Sequence, residues 1–280
     1  GFHQSFAGIC LFARMSGETR RSQILDAARR DGRVMVDALA AELGVSAHTI
    51  RRDINALCEE AKLRRLHGGA EYIETRQNLP YSTRAIMNAA AKQAIGRAVA
   101  GLVPDGATLF ISIGTTPAMV AAALTGHARL TVVTNNLNAA NALACTPGNR
   151  IILPGGELRL PDRDFVGAEA VEIFRTYRAD FGIYGVGGID RDGMLLDFHE
   201  PEVRAREAIR ANSRRSVMVA DRTKFGRHAA AVGGHLSEAD LVILDSAPQG
   251  AFRELLDALP GRLVLAEASV GAGGGRARDA

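Results

Sequence analysis

The sequence predicts two domains of different class: an N-terminal winged helix-turn-helix, then an α/β domain with a mostly parallel sheet. Three observations predict this. Between Val36 and Asp53, two apolar stripes at helical spacing flank a turn containing Gly44. Between Lys62 and Ile73, two strand-like runs flank Gly68-Gly69. From about Ala91, short continuous apolar runs alternate with helical segments, the pattern of strands buried on both faces.

In the first helix Val36, Leu39, Ala40 and Leu43 recur at i, i+3, i+4 and i+7, which makes one apolar face. Ser46 opens the second helix as a cap whose hydroxyl accepts a backbone N–H. Its buried stripe is Ile50, Ile54 and Leu57. At about 100° per residue, His48, Arg52 and Asn55 point away from that stripe, Thr49 and Arg51 flank it, and Asp53 turns back toward the core. A short helix with arginines and small polar groups on its free face suits a DNA major groove. Two amphipathic helices around a glycine turn are common, and most never touch DNA; the hairpin that follows shifts the balance. Its basic strand carries Arg64 and Arg65, with His67 at the turn, all placed to reach phosphates as a wing.

At 280 residues, 47% of them apolar, the chain has room for one small and one medium domain. Net charge is +3 with a pI near 9.0. Arg20 to Ala70 holds ten Lys/Arg against seven Asp/Glu, so placement on one helix face carries the nucleic-acid argument, not bulk charge. Cys10, Cys58 and Cys145 are too widely spaced for a disulfide framework or a zinc site, and the histidines show no ligand spacing. A reducing cytoplasm is therefore expected, with no metal and no cofactor. No apolar run approaches the ~20 residues of a membrane span. Phe2 to Phe12 lacks the charged start of a signal peptide. The expected division is a disordered extension over 1–18, with Met15 as a candidate start, then the winged helix-turn-helix over 19–74. A linker over 75–90, the α/β domain over 91–266 and a disordered Gly/Arg-rich tail over 267–280 follow.

In the second domain the strands read as Thr108 to Ile113, Leu130 to Thr134, Arg150 to Leu153, Asp180 to Tyr184, Ser216 to Ala220 and Leu241 to Asp245. Helices read as Lys92 to Leu102, Pro117 to Leu124, Asn138 to Leu143, Ala168 to Tyr177, Pro201 to Asn212 and Phe252 to Leu259. Ligands of such sheets sit beyond the carboxyl ends of the strands. Those ends run into Gly114-Thr115-Thr116, Thr134-Asn135-Asn136, Pro154-Gly155-Gly156-Glu157, Gly185-Val186-Gly187-Gly188 and Asp221 to Lys224. Glycines admit backbone N–H groups to an anion, hydroxyls and amides add donors, and a helix N-terminus after Thr116 adds partial positive charge. Any one of these is more often an ordinary turn. Five at consecutive strand ends describe a phosphate-sized, polyol-compatible pocket. Glu202 suits either the pocket or the helix dipole, His199 reads as a solvated loop residue, and Lys224 reads as a phosphate-neutralising cation rather than a catalyst.

Ser46-x-x-Thr49-Ile-Arg-Arg-Asp53, His67-Gly-Gly-Ala70, Gly114-Thr-Thr116, Thr134-Asn-Asn136, Gly155-Gly-Glu157 and Lys224-Phe-Gly226 together resemble the DeoR family of bacterial transcriptional regulators, from about Arg20 to Leu259. The resemblance implies a sensor related to the ribose-phosphate isomerase and glucosamine-phosphate deaminase fold. It implies oligomeric binding to a double-stranded DNA operator and release by a phosphorylated sugar or polyol. Thr131 to Asn138, Arg150 to Arg159 and Asp180 to Gly185 are most similar to the subgroup that responds to glycerol 3-phosphate. Carried over, Ser46 to Asp53 is the recognition segment. Ser112, Gly114, Thr115, Thr116, Asn135, Asn136, Gly155, Gly156, Glu202 and Lys224 are the effector candidates. Ser112 stands where many relatives carry Asp, which removes a carboxylate that could meet a sugar hydroxyl; Gly187 and the His199-Glu200-Pro201 loop also depart from the pattern. The expected function is repression of glycerol-3-phosphate or sugar metabolism genes, without catalysis. The alternatives are a sugar-phosphate isomerase or deaminase carrying a DNA-binding module, and a sensor whose helix-turn-helix contacts protein.

Overall fold

The computed structural model describes residues 16–59, 62–72, 78–248, 251–259 and 262–266. The expectations for Met15, for Phe2 to Phe12 and for the 267–280 tail lie outside them. The chain forms two compact units, Gly1–Ile73 and Glu74–Ala280.

The first unit runs α1 (Gly17–Asp31), β1 (Arg33–Met35), α2 (Val36–Leu43), α3 (Ala47–Glu59), β2 (Leu63–Leu66) and β3 (Gly69–Tyr72). Ser16 caps α1 by accepting the Thr19 N–H at 3.1 Å. Residues 16 to 18 are therefore the cap and first turn of a helix, not part of a disordered extension. The expected extension over 1–18 did not allow for a helix there, because α1 is polar on average and needs its partners to be stable. Gly44 ends α2 in the left-handed conformation, φ 63°. The antiparallel sheet has the order β1-β3-β2. Gly69 sits where a Cβ would lie 2.1 Å from the Val34 carbonyl, so only glycine lets β3 pair this closely with β1. Ile24, Leu39, Ile50, Ile54, Leu57 and Leu63 form the core.

The second unit has α4 (Tyr81–Ile86) and α5 (Ala89–Ala100) as its first described helices, so within the expected linker over 75–90 residues 81–86 and 89–90 are helical. Then come β4 (Thr108–Ile111), α6 (Thr115–Ala123), β5 (Thr131–Thr134), α7 (Leu137–Ala144), β6 (Arg150–Ile152), the hairpin β7 (Leu158–Arg159) and β8 (Asp164–Phe165), and α8 (Ala168–Thr176). They are followed by β9 (Ala179–Tyr184), β10 (Gly188–Ile189), β11 (Met194–Asp197), α9 (Glu200–Ala211), β12 (Ser213–Ala220), β13 (Ala231–His235), β14 (Leu241–Leu244), α10 (Ala251–Asp257) and β15 (Leu263–Leu265). The main sheet is parallel, ordered β15-β14-β12-β9-β4-β5-β6. Successive strand residues point to opposite faces. Leu109, Ile111, Val217, Val219, Leu241 and Ile243 accordingly pack with α5, α6 and α7 on one side. Phe110, Met218, Ala220, Val242 and Leu244 pack with α8, α9 and α10 on the other. That double burial is why the strands read as unbroken apolar runs.

The chain builds β4, β5 and β6 outward, then returns to place β9 on the far side of β4. Strand order reverses between β4 and β9, and the loops leaving their carboxyl ends diverge there. Such a switch point opens a crevice for a ligand.

Candidate functional site

In the first unit, Ser46 caps α3 as expected, accepting the Thr49 N–H at 3.1 Å and lying 2.9 Å from the Thr49 hydroxyl. His48, Arg51, Arg52 and Asn55 are exposed and Thr49 is half-buried. Asp53 turns inward, 4% exposed, and accepts from Arg20 Nε of α1 at 2.5 Å. This pair locks α3 on α1 and leaves the opposite face to the arginines. In the wing, Gly68 makes the left-handed turn at φ 76°, with exposed His67 beside it. Arg65 is exposed as well. Arg64 differs from the expectation: it is ion-paired with Glu71 across the hairpin, so its charge is largely compensated within the wing.

In the second unit a cavity of about 50 Å³ lies at the switch point. Its walls include Ser112 to Pro117 after β4, Gly185 to Gly187 after β9, and Lys224 beyond β12. Gly114 precedes α6 at φ 109°, a backbone that side chains rarely adopt. It lets the chain turn sharply so that the first turn of α6, with buried Thr115 and Thr116, faces the cavity. N–H groups of a first helical turn have no intrahelical partner and attract anions.

Thr134-Asn135-Asn136 does not line the cavity; it fixes the loop that does. Thr134 donates to the Ile111 carbonyl at 2.6 Å. Asn136 Nδ2 donates to the carbonyls of Ser112 (3.1 Å) and Gly114 (3.0 Å), and its Oδ1 caps α7 by accepting from Asn138 and Ala139. Asn135, fully buried, donates to the Phe165 carbonyl at 2.9 Å and holds the hairpin. Asn135 and Asn136 thus act through the backbone, where the sequence suggested direct contact. Gly155 and Gly156 are exposed after β6 and outside the cavity lining. The chain after β6 meets the cavity only a few residues later, where Arg159 and Asp164 of the β7–β8 hairpin line it.

Charged residues that sequence spacing did not reveal complete the walls: Arg84, Arg159, Asp162, Asp164, Asp197 and Arg206, with Asn78. Arg159 donates to both oxygens of Asp164 at 2.8 Å and to Glu202 at 2.7 Å. Burial works against its charge, but these two carboxylates outweigh it and hold the guanidinium firmly protonated. Arg206, 1% exposed, donates to Asp197 at 3.0 Å and to the Gly233 carbonyl at 2.7 Å. Asp197 in turn accepts the Gly187 N–H at 2.8 Å, which sets the loop after β9. Arg84 is ion-paired with Asp162.

Each wall carboxylate is therefore matched to an arginine. Lys224 is different: among the described residues its ammonium makes no hydrogen bond or ion pair. Burial pushes it down to about 7, helped by Arg227, Arg84 and Lys92 and opposed by Asp221. Lys92, mainly through burial, falls to about 8. Arg227, again through burial and then Arg84, falls to about 10; among the described residues its side chain bonds only neutral groups, Gly187 O and Asn78 Oδ1, and stacks on Phe198. Crowded, desolvated cations of this kind are relieved by an incoming anion.

The fold and these two sites define a winged helix-turn-helix joined to an α/β ligand-binding domain. Comparison with known proteins agrees. The DeoR-like helix-turn-helix domain matches residues 20–76 and the DeoR C-terminal sensor domain matches residues 87–246. The chain is 42% identical to the glycerol-3-phosphate regulon repressor of Escherichia coli K12, covering 86% of this chain and 96% of that protein. It is 41% identical to the protein of that name from Haemophilus influenzae, covering 84% and 92%. It is 31% identical to the HTH-type transcriptional repressor GlcR of Bacillus subtilis, covering 92% and 99%. Among solved structures, ribose 5-phosphate isomerase A from Neisseria gonorrhoeae is similar over 48% of this chain and 52% of its own, at 15% identity and TM-score 0.35. The chain belongs to the DeoR family of transcriptional regulators. It is a DNA-binding regulator and not an isomerase or deaminase with an added module. No helix among the described residues is long and apolar enough to cross a membrane.

Proposed function

We propose that this protein represses genes of glycerol 3-phosphate or sugar-phosphate metabolism. It binds a double-stranded operator as a homo-oligomer in the cytoplasm and leaves it when a phosphorylated polyol fills the cavity. Ser46, His48, Thr49, Arg51, Arg52 and Asn55 form the major-groove face, and Arg65 and His67 of the wing reach the phosphate backbone, with Arg64 a weaker contributor. The carrying observation is the Lys224 ammonium, unpaired in a cavity that also receives the first turn of α6. Ser112, Gly114, Thr115, Thr116 and Lys224 take the phosphate. Glu202 and the other wall carboxylates, already oriented by Arg159 and Arg206, accept from hydroxyls. The names of the relatives support glycerol 3-phosphate as the first effector to try.

The test is binding of the full chain to its own upstream promoter DNA, with and without glycerol 3-phosphate, at two salt concentrations. Specific binding that weakens with salt and is released by glycerol 3-phosphate is expected. Release by another sugar phosphate alone would keep the repressor and change the effector. Specific binding indifferent to every phosphorylated polyol would overturn the effector reading.

A further inference from the structure

We propose that Glu202 sets the ligand specificity of the cavity: its unengaged carboxylate oxygen receives a hydroxyl at the end of a phosphorylated polyol remote from the phosphate, and excludes phosphorylated acids of the same size. The proposal rests on the reading of the cavity as a phosphate site.

Among the described residues four carboxylates line the cavity, Asp162, Asp164, Asp197 and Glu202. The first three have both oxygens engaged. Asp164 accepts from Arg159 on each oxygen at 2.8 Å. Asp197 accepts the Gly187 N–H on Oδ1 and Arg206 Nε on Oδ2. Asp162 pairs with Arg84 through Oδ1, and its Oδ2 lies 3.7 Å from Arg159 Nε. Glu202 accepts from Arg159 on Oε1 at 2.7 Å, while its Oε2 has no hydrogen bond or ion pair among the described residues.

That free oxygen belongs to a buried side chain. Glu202 stands in the first turn of α9 and is only 7% exposed. A carboxylate taken out of water needs donors for its lone pairs. Among the described residues, the polar side-chain atoms sealed without a partner lie elsewhere, on His127, Asn135, Asn138 and Tyr184, so Glu202 Oε2 reaches open space. An acidic residue here complements the helix dipole, but Glu200 in the same turn does that while exposed. The dipole therefore accounts for the charge of Glu202 and not for its burial in the cavity wall.

The charge around Glu202 favours a neutral donor over an anion. One guanidinium, Arg159, serves both Asp164 and Glu202, so the three groups together carry one net negative charge. Burial pushes the Asp164 carboxyl above the usual carboxylate range, and Asp162 and Glu202 add to that push against Arg159. The cation that lacks a partner, Lys224, lines the same cavity and does not pair with Glu202. One ligand can answer both groups only if it is anionic at one end and donates a hydrogen bond at the other. A phosphorylated polyol does this. A phosphorylated acid sets its own carboxylate against Glu202, and like charges brought together in a desolvated site are strongly disfavoured.

The experiment is calorimetric titration of the full chain with three racemic phosphate esters that differ only at the terminal carbon. Glycerol 3-phosphate carries a hydroxymethyl group there, propane-1,2-diol 1-phosphate a methyl group and 3-phosphoglycerate a carboxylate; inorganic phosphate is the reference. The wild type should bind them in that order, the methyl compound on the order of tenfold more weakly than the first and the acid on the order of a hundredfold more weakly. Glu202→Gln removes the charge and keeps the shape. It should bring the acid to within about tenfold of glycerol 3-phosphate and bind inorganic phosphate within about twofold of wild type. The wild-type order holds or fails without any variant. A wild type that binds the acid as tightly as glycerol 3-phosphate, as it would if Arg159 took the ligand carboxylate, would overturn the proposal and leave the phosphate reading standing. A folded Glu202→Gln chain with the wild-type ratios would do the same. A wild type that binds none of the four ligands would sink the phosphate reading itself, and the proposal with it.

Discussion

Two arginines that look alike in sequence differ in what their surroundings leave them free to do. Arg52 projects from α3 on the face opposite Ile50, Ile54 and Leu57, exposed and with no hydrogen bond or ion pair among the described residues. Arg64 is spent on Glu71 across the wing. A guanidinium that reads a base edge contributes about 1–3 kcal/mol, while an exposed and already compensated one contributes under about 1 kcal/mol. Arg52→Ala is therefore expected to lower operator affinity by roughly five- to 150-fold and to relax discrimination at one or two base positions. Arg64→Ala should change affinity less than about fivefold and leave discrimination intact. Fluorescence-anisotropy titrations against the operator and its single-base variants check both. An Arg52→Ala variant with unaltered affinity would show that the α3 register assigned here is wrong.

Elements explain which parts of the site could be read in advance. The strands of the main sheet were legible because each is buried on both faces, and the loop after β4 because Gly114-Thr115-Thr116 is a local signal. The seventh strand, β15, and the two small sheets were missed because they are two to five residues long and take their order from tertiary neighbours. Helix α4 was hidden in an expected linker, since six residues without a buried face carry no periodic signal. The wall ion pairs join positions far apart in sequence, Arg84 to Asp162 and Arg159 to Glu202, and no local pattern encodes that. The cation cluster has a measurable consequence. Lys224 titrates near 7 in the folded chain against an ordinary value near 10.5, so the folded state binds fewer protons than the unfolded one between those values. Its penalty on stability is full below about pH 7 and fades as pH rises toward 10. A bound phosphate favours the charged ammonium and reverses this. The phosphate monoester of glycerol 3-phosphate is largely a dianion from pH 7 upward, so the change lies in the protein. Glycerol 3-phosphate should bind more weakly as pH rises from 7 to 9, on the order of tenfold or more, with proton uptake visible by calorimetry in buffers of different ionisation enthalpy. Lys224→Met should flatten the profile. A flat profile in the wild type would place the anion away from Lys224.

At the scale of the whole molecule, the two units carry separate hydrophobic cores, and each proposed site draws its residues from one unit alone. Regulation must then be a coupling free energy between two separate sites, and such a coupling is reciprocal. If glycerol 3-phosphate lowers operator affinity a hundredfold, operator DNA must lower glycerol 3-phosphate affinity a hundredfold, which is about 2.7 kcal/mol. The effector dissociation constant, measured by calorimetry on the free chain and on the chain saturated with operator, should differ by the same factor as the operator constants with and without effector. Arg52→Ala should weaken operator binding and leave that factor unchanged, because it alters contact with DNA and not the link between the sites. Lys224→Met should weaken the effector in both states alike. The cycle closes for any fixed assembly, so unequal factors would mean that ligation changes the assembly, and an effector affinity unaltered in Lys224→Met would show that the cavity is not the controlling site.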